Sequence, residues 1–208
     1  MTRPLLITDC DEVLLHMIRH FRDFLCEQHG IAISLEGNPF AESMKRPDGE
    51  PVTQEEVWAL LGEFFDTEME NQQPIEGALE AIAEIQRDAD VVVLTNLVDK
   101  RNDARTEQLR ALGLDVRVYT NQGPKGPALK AIMDEYQPSR AVFIDDLAVH
   151  HASAREEIGD IHLLHLCGEP SIAPHIECAH EAGHADARID NWAKALPWLK
   201  KKLHGEPA

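Results

Sequence analysis

Two aspartates separated by one residue, Asp9 and Asp11, follow a short apolar run at 5–8, and Glu12 comes directly after them. Three carboxylates this close together repel one another, so a strand that ends in them needs a positive charge beside it. The spacing therefore raises the question of which cation neutralises these acids and what reaction the group performs.

Other polar side chains stand at comparable positions further along the chain. Thr95 and Asn96 end the apolar run "VVVLTN", and Asp145 and Asp146 end the run "AVFIDD". Lys125 lies in "GPKGPAL", directly before a predicted helix. Ligands of open α/β sheets bind outside the carboxyl ends of the strands, so we expect these side chains to meet at one edge of a sheet.

The gathered carboxylates predict a metal site. Oxygen ligands select a hard cation, which we expect to be Mg²⁺, and Lys125 supplies further positive charge. Asp9 beside a metal can attack phosphorus and form an aspartyl-phosphate. Mg²⁺, Lys125 and the Thr95 hydroxyl would hold the phosphoryl oxygens, and Asn96 is a further candidate. Asp11 would protonate the leaving group and then deprotonate the attacking water.

The elements that must position these residues alternate between strands and helices. Continuous apolar runs predict strands buried on both faces, and the amphipathic segments between them, such as 101–112 and 191–203, predict helices. This order predicts an α/β fold, a three-layer Rossmann-like core around a central parallel sheet. The strand-like runs lie at 5–9, 90–96, 116–120, 141–146, 161–167 and, weakly, 185–189.

The stretch 16–74 breaks this alternation, because it has helical patterns and no convincing strand. Thr53 and Glu56 form a predicted capping box at the start of one helix. We therefore predict a small helical cap at 16–74, inserted after the first strand into a catalytic core made of 1–15 and 75–208.

Composition narrows the functional classes. The 208 residues carry a formal net charge of −17, which makes nucleic acid and anionic membranes unlikely partners by repulsion. No apolar run is long enough to cross a bilayer, and the first residues lack a signal-peptide pattern, so we expect a cytoplasmic location. An acidic chain also repels small anions, so any site for them must reverse the field locally.

The segments "DCDEVL", "VVVLTN", "GPKGPAL" and "FIDDL" together resemble the four ordered motifs of the haloacid dehalogenase superfamily. The resemblance covers nearly the whole chain, because the predicted insert lies where that family has its small helical cap of the C1 type. It implies Asp9 as the nucleophile, Asp11 as the acid and base, and Thr95 and Lys125 as phosphate binders. Members with an aspartate at the position of Asp11 are phosphatases and phosphomutases, so phosphoryl transfer is favoured over cleavage of a carbon–halogen bond.

The same resemblance implies a set of Mg²⁺ ligands: Asp9, the main-chain carbonyl of Asp11, and one aspartate of the later pair. Alignment of the pair favours Asp146 as the direct ligand and Asp145 as a ligand through water. Glu12 departs from the small residue, often glycine, that the family has at that position.

The predicted activity is Mg²⁺-dependent hydrolysis of a small phosphomonoester. A phosphomutase that passes the phosphoryl group to a sugar, and a non-catalytic phosphate-responsive binding protein, are the alternatives. A receiver domain has its acidic pair and its phosphate acceptor in the reverse order along the chain. The identity of the phosphorylated metabolite and the oligomeric state stay open at this point.

Four basic or titratable side chains each allow two interpretations, one as part of the site and one as a surface residue. His150 and His151 follow the second acidic pair, where a surface position at a helix start is favoured over a position lining the site. Lys45 and Arg46, in a loop of the insert, are equally compatible with attracting an anionic substrate and with a solvated turn.

A stretch rich in histidine and cysteine follows the fifth strand-like run. A zinc site is one interpretation, but no recognised ligand spacing supports it, and a loop is the simpler one. The residues concerned are Cys167, His175, Cys178, His180 and His184.

Overall fold

The computed structural model describes residues 2–34 and 44–205. No helix in these residues is long and apolar enough to cross a membrane. The strands are β1 (Leu5–Thr8), β2 (Ala32–Ile33), β3 (Met44–Lys45), β4 (Asp90–Thr95), β5 (Arg117–Thr120), β6 (Ala141–Asp145), β7 (His162–His165) and β8 (Ala187–Arg188). The α-helices are α1 (Ile18–His29), α2 (Gln54–Thr67), α3 (Ala78–Ile85), α4 (Asn102–Ala111), α5 (Gly126–Tyr136), α6 (Ala148–Glu157) and α7 (Trp192–His204).

Six of the strands form one parallel sheet in the order β5–β4–β1–β6–β7–β8. β1 pairs with β4 on one side and with β6 on the other, so that Thr8 lies opposite both Val93 and Ile144. Successive strands therefore add first to one side of β1 and then to the other, which makes the carboxyl end of β1 the point where the strand order reverses.

Helices cover both faces of this sheet. On one face, α3, α4 and α7 pack against side chains such as Leu6 and Val93. On the other face, α5 and α6 pack against Ile7 and Phe143. This confirms the predicted three-layer core, and it explains why the strands are continuously apolar: alternate side chains of each strand enter two different cores.

The inserted stretch carries α1 and α2, which bury an aromatic cluster between them. The predicted capping box is present at the start of α2, where the Thr53 hydroxyl accepts a hydrogen bond from the Glu56 main-chain N–H and the Glu56 side chain accepts one from the Thr53 main-chain N–H. Edge-to-face contacts join the rings of the two helices. The cluster consists of Phe21, Phe24, Phe64 and Phe65.

The sequence pattern gave no strand in the insert, and the structure differs on this point. β2 and β3 pair antiparallel as a two-stranded sheet of two residues each. Strands this short contain no alternation that a sequence can display, so the pattern could not predict them. Residues 35–43, between these two strands, lie outside the described residues.

The chain leaves and re-enters the core at two adjacent segments. The main-chain N–H of Ile75 donates to the carbonyl of Leu14, and that of His16 donates to the carbonyl of Gln73, both at 2.9 Å. The predicted boundaries at 15/16 and 74/75 lie within this paired crossing, and the division into two domains stays a prediction.

Candidate active site

The candidate site lies at the carboxyl ends of β1, β4 and β6, where a cavity of 730 Å³ opens between the sheet and the insert. Six of the seven predicted site residues line this cavity, and the seventh, Asp145, is buried directly behind it. The six are Asp9, Asp11, Thr95, Asn96, Lys125 and Asp146. β1 lies between β4 and β6, so the residues that follow these three strands converge at this edge.

Lys125 is the central cation of the site. It immediately precedes α5, its side chain is buried, and its ammonium nitrogen lies 2.8 Å from Asp9 Oδ1 and 2.7 Å from Asp145 Oδ2. Burial alone would lower the pKa of Lys125, but the two carboxylates together raise it above its ordinary value. Lys125 is therefore charged at neutral pH, and it links the β1 aspartate to the β6 aspartate.

The two aspartates at the end of β6 have different surroundings. Asp145 uses both oxygens within the protein, because Oδ2 contacts Lys125 and Oδ1 accepts a hydrogen bond from the Leu147 main-chain N–H. Burial acts to raise the pKa of Asp145, but the positive charge of Lys125 outweighs this effect, so the pKa lies below its ordinary value. Asp146 is buried, and within residues 2–34 and 44–205 its carboxylate has no hydrogen-bond or ion-pair partner.

The charges of the site do not balance. Asp9, Asp145 and Asp146 offer oxygens within 4.8 Å of one another, and Lys125 is the cation beside them. Burial, with the neighbouring carboxylates adding to it, raises the pKa of Asp9 to about 7 and that of Asp146 well above its ordinary value. A buried cluster of carboxylate oxygens with excess negative charge fits a hard divalent cation, for which Asp9 and Asp146 have the available oxygens.

Asp11 is held by two residues that the sequence analysis did not single out. The guanidinium of Arg105, from α4, lies 3.0 Å from both carboxylate oxygens of Asp11. Gln72, in the segment that returns from the insert, donates a hydrogen bond to Oδ1 at 2.9 Å. Arg105 is fully buried, and burial acts to lower its pKa, but Asp11 and Cys10 raise it above the ordinary value.

Thr95 and Asn96 both line the cavity but differ in their contacts. Thr95 is buried at the last position of β4. The Asn96 side chain donates to the carbonyl of Gly123 at 3.0 Å and accepts from the Asn121 side chain at 2.8 Å. The Asn96 amide thus fixes the loop that precedes Lys125, and its predicted contact with phosphate stays a prediction.

Glu12 occupies the position where the resemblance leads one to expect a small residue. Its φ of 60° lies in the left-handed region that glycine adopts most easily. Its Oε1 accepts hydrogen bonds from the main-chain N–H groups of Met17 and Ile18 at 2.9 and 2.5 Å, so it caps the start of α1. Burial raises the pKa of Glu12 to about 8. A large side chain therefore occupies a left-handed backbone position here, and its carboxylate is used to cap a helix.

The expected surface position of His150 and His151 is wrong. Both rings are buried, and His150 lines the cavity. A ring nitrogen of His151 lies 3.0 Å from the main-chain carbonyl of Asp145, because α6 turns this side towards the end of β6. Burial lowers the pKa of each of the two histidines, which favours neutral imidazoles.

A second group of possible metal ligands lies nearby: Glu12, His16 and Glu169. Protein contacts already satisfy Glu169, which binds Arg19 at 2.6 Å and the Ser171 hydroxyl at 2.7 Å. This group ties α1 to the loop after β7. The five histidines and cysteines of the 167–184 stretch form no such group of three in the part of the chain that the structure describes.

Neither basic residue of the insert loop lines the cavity. Arg46 pairs with Glu56 at 2.5 Å and lies in a separate depression between α1 and α2, and Lys45 is exposed. For Arg46, the structure therefore favours a role in the turn over attraction of an anionic substrate.

No protein-family model and no curated protein matches the chain, but solved structures resemble it over almost their whole length. A haloacid dehalogenase-like hydrolase from Streptococcus pneumoniae has a TM-score of 0.65 at 14% identity, covering 95% of this chain and 98% of that one. A HAD family hydrolase from Deinococcus radiodurans, with bound phosphate and sodium, has a TM-score of 0.67 at 18% identity over 98% of each chain. The chain has the haloacid dehalogenase-like fold. The fold that the four motifs implied is thereby confirmed.

A further structure with the haloacid dehalogenase-like fold is described as a predicted phosphoglycolate phosphatase from Haemophilus somnus. It has a TM-score of 0.63 at 14% identity and covers 94% of this chain and 97% of that one. Identities this low establish the shared fold, and the activity of this chain has to be argued from its own residues.

The sequence contains one pattern from which the burial of Arg105 could have been predicted. On the helix predicted at 101–112, Arg105 shares a face with Gln108, Leu109 and Leu112, so a charged residue stands in the apolar stripe. Such a residue is expected to have a buried partner, and here the partner is Asp11. Gln72 carried no comparable signal.

Proposed function

We propose that this protein is a Mg²⁺-dependent phosphatase that hydrolyses a small phosphomonoester through an aspartyl-phosphate on Asp9. The observation that carries the proposal is the ion pair of Lys125 with Asp9 and Asp145 beside Asp146, whose buried carboxylate has no partner among the described residues. This arrangement joins a buried nucleophile, a cation for the phosphoryl oxygens and a free carboxylate for a metal, all at the wall of one cavity.

In the first step, Asp9 attacks phosphorus, and the bond between phosphorus and the leaving oxygen of the substrate breaks. Asp11 donates a proton to that oxygen. In the second step, a water attacks phosphorus, Asp11 takes a proton from the water, and the bond between phosphorus and Asp9 breaks to release inorganic phosphate. Lys125 and Thr95 orient the phosphoryl oxygens throughout. Asp9, Asp146 and the main-chain carbonyl of Asp11 would hold Mg²⁺, which would supply further positive charge beside the phosphoryl group.

A phosphotransferase that uses the same residues is the second candidate. The two reactions share the first step and differ in whether water or a second hydroxyl receives the phosphoryl group. The loss of one sheet-edge aspartate would argue for a non-catalytic phosphate-binding protein, and both Asp9 and Asp11 are present.

The test is hydrolysis of p-nitrophenyl phosphate with Mg²⁺ and with EDTA. We expect activity that needs Mg²⁺ and disappears in Asp9→Asn, which removes the nucleophile with almost no change of volume. Asp115→Asn, at an exposed position, is the matched control. Intact-protein mass spectrometry of a quenched reaction should detect a phosphorylated form in wild type and not in Asp9→Asn. Activity of Asp9→Asn within tenfold of wild type would contradict the covalent mechanism.

A further inference from the structure

The cavity has two chemically different parts. Its floor carries the charged residues of the sheet edge, and most of its remaining lining is apolar, with His150, His175 and Glu177 as the polar exceptions among the described residues. The start of α1 and helix α2 contribute to this wall from one side, and the first turn of α6 with the loop after β7 contributes from the other. We call this part the apolar wall; it consists of Met17, Ile18, Trp58, Leu61, Phe65, Leu147, Ala148, Val149, Ile172 and Ile176.

The apolar wall includes large apolar side chains that are exposed to solvent. Among the described residues, three such side chains are exposed: Trp58 at 62%, Leu147 at 43% and Val149 at 57%. Single exposed apolar residues are ordinary, but these three line one cavity, with Trp58 on the insert and the other two on the core. Apolar surface that converges on a reaction centre indicates a ligand that covers it.

The charges of the cavity restrict that ligand. Lys125 is the one lysine or arginine among the lining residues that the structure describes, and it is paired with Asp9 and Asp145. At the outer part of the wall, Glu177 adds a further acid. A substrate with a carboxylate or a second phosphate on its leaving group would find no unpaired lysine or arginine there, and a sugar would leave many of its hydroxyl groups against apolar side chains.

Resting on the proposed phosphatase function, we infer that the substrate is the phosphomonoester of an apolar alcohol, whose aromatic or branched aliphatic body packs between Trp58 and Val149. The phosphate would lie over Lys125, and the apolar body would fill the space between insert and core. The volume of 730 Å³ is within the range of sites for small organic ligands. Trp58 and Val149 are on this inference specificity-determining residues.

The experiment compares phosphomonoesters whose leaving groups are all primary alcohols but differ in the part of the alcohol beyond the ester carbon. The set is 2-phenylethyl phosphate, 2-hydroxyethyl phosphate and phosphoglycolate, assayed by release of inorganic phosphate with Mg²⁺. We expect kcat/KM for the phenylethyl ester to exceed that for each of the other two by about tenfold or more, which is the usual discrimination of an apolar pocket.

Two variants assign the effect to the apolar wall. Trp58→Ala should lower kcat/KM for 2-phenylethyl phosphate by about tenfold and leave that for 2-hydroxyethyl phosphate nearly unchanged. Val149→Lys should raise kcat/KM for phosphoglycolate by supplying the missing cation. Both side chains are mostly exposed, so both variants should keep the thermal stability of wild type. Glu55→Ala, on the exposed side of α2, is the matched control.

The outcomes separate the two proposals. Equal or better hydrolysis of the polar esters by wild type would overturn the inference and leave the phosphatase function standing. Equal losses on all esters in Trp58→Ala would also overturn it, because such losses would show a structural role. Absence of hydrolysis of every ester would contradict the phosphatase function and the inference that rests on it.

Discussion

Arg105 on α4 presents one guanidinium nitrogen to both carboxylate oxygens of Asp11, at 3.0 Å from each. The other terminal nitrogen of Arg105, Nη1, donates to Cys10 Sγ at 3.1 Å, so the planar guanidinium is fixed by two partners in a way that the single nitrogen of a lysine cannot reproduce. We therefore predict that Arg105 is a positioning residue that acts through Asp11.

We predict that Arg105→Lys lowers kcat by about tenfold to a hundredfold, because small misplacement of a catalytic group has effects of that size. In Arg105→Ala, added guanidinium ion should restore part of the lost activity by occupying the vacated space. Arg101→Lys is the matched control, since Arg101 also lies over Phe65 but pairs with Asp66. No loss in Arg105→Lys, or equal loss in the control, would remove Arg105 from the mechanism.

The aspartates that end β6 should respond differently to the same substitution. Asp146→Asn removes an unpartnered buried charge, so we expect a metal-free protein at least as stable as wild type at pH 8 but with Mg²⁺ affinity reduced at least tenfold. Asp145→Asn leaves Lys125 with one carboxylate instead of two and should lower the unfolding free energy by about 1–3 kcal/mol. Calorimetric Mg²⁺ titration and thermal unfolding in EDTA would measure both; a reversed pattern would exchange the two proposed roles.

Lys125→Ala should weaken substrate binding and inhibition by vanadate, and should lower kcat/KM by about 10²–10³-fold. Lys125 lowers the pKa of Asp9 and Asp145, so its removal should shift the acidic limb of the pH–rate profile to higher pH. Lys130→Ala, one turn further along α5 and exposed, is the control. Unchanged kcat, KM and vanadate inhibition would show that Lys125 acts on neither substrate nor transition state.

Stabilisation by Mg²⁺ should depend on pH. The pKa of Asp9 is raised from 3.8 to about 7, so between these values the folded protein keeps a proton that the unfolded chain has lost, and the unfolding free energy falls as pH rises. Below about pH 7, Mg²⁺ has to displace the proton of the Asp9 carboxyl in order to bind, which weakens its binding. Above that pH, the carboxylate is already free of the proton. We expect a larger rise of Tm with Mg²⁺ at about pH 8 than at about pH 5.5. An equal rise at both would mean that the cation does not bind Asp9.

Glu12→Gln should stabilise the protein at pH 8 more than at pH 5. The pKa of Glu12 is raised from 4.5 to about 8, so across that interval the wild type loses unfolding free energy as pH rises, whereas glutamine does not titrate. Glutamine can still accept from Met17 and Ile18, but Glu12→Ala cannot and should be less stable than wild type by about 1–3 kcal/mol. If Gln and Ala have equal effects at both pH values, the cap on α1 contributes nothing.

The strand ends could be predicted from sequence because chemistry and pattern coincide there. Asp9, Thr95 and Asp146 each follow an apolar run, and parallel strands bring such ends to one edge. Lys125 could be predicted for a similar reason, since a helix follows it at once.

The contacts between distant elements could not be predicted in this way. Gln72 reaches Asp11 only because the two chain crossings are adjacent, and no local pattern encodes that approach. The burial of His150 could not be predicted, because the α6 sequence has no clear apolar stripe and the buried side of the helix is set by packing against the sheet. The left-handed Glu12 likewise has its hydrogen-bond partner at the start of α1, six residues later.

The paired crossing at Leu14–Ile75 and His16–Gln73 also bears on how such proteins diversify. The two ends of the insert are hydrogen-bonded to each other, so the positions at which the chain leaves and re-enters the core are fixed. They do not depend on the length of the chain between these two ends. Recombination could therefore replace the whole insert, and with it the apolar wall's Trp58 side, without moving the sheet edge. The exception is Gln72, which lies inside the exchanged segment but contacts Asp11, so any successful graft must carry a donor at that position.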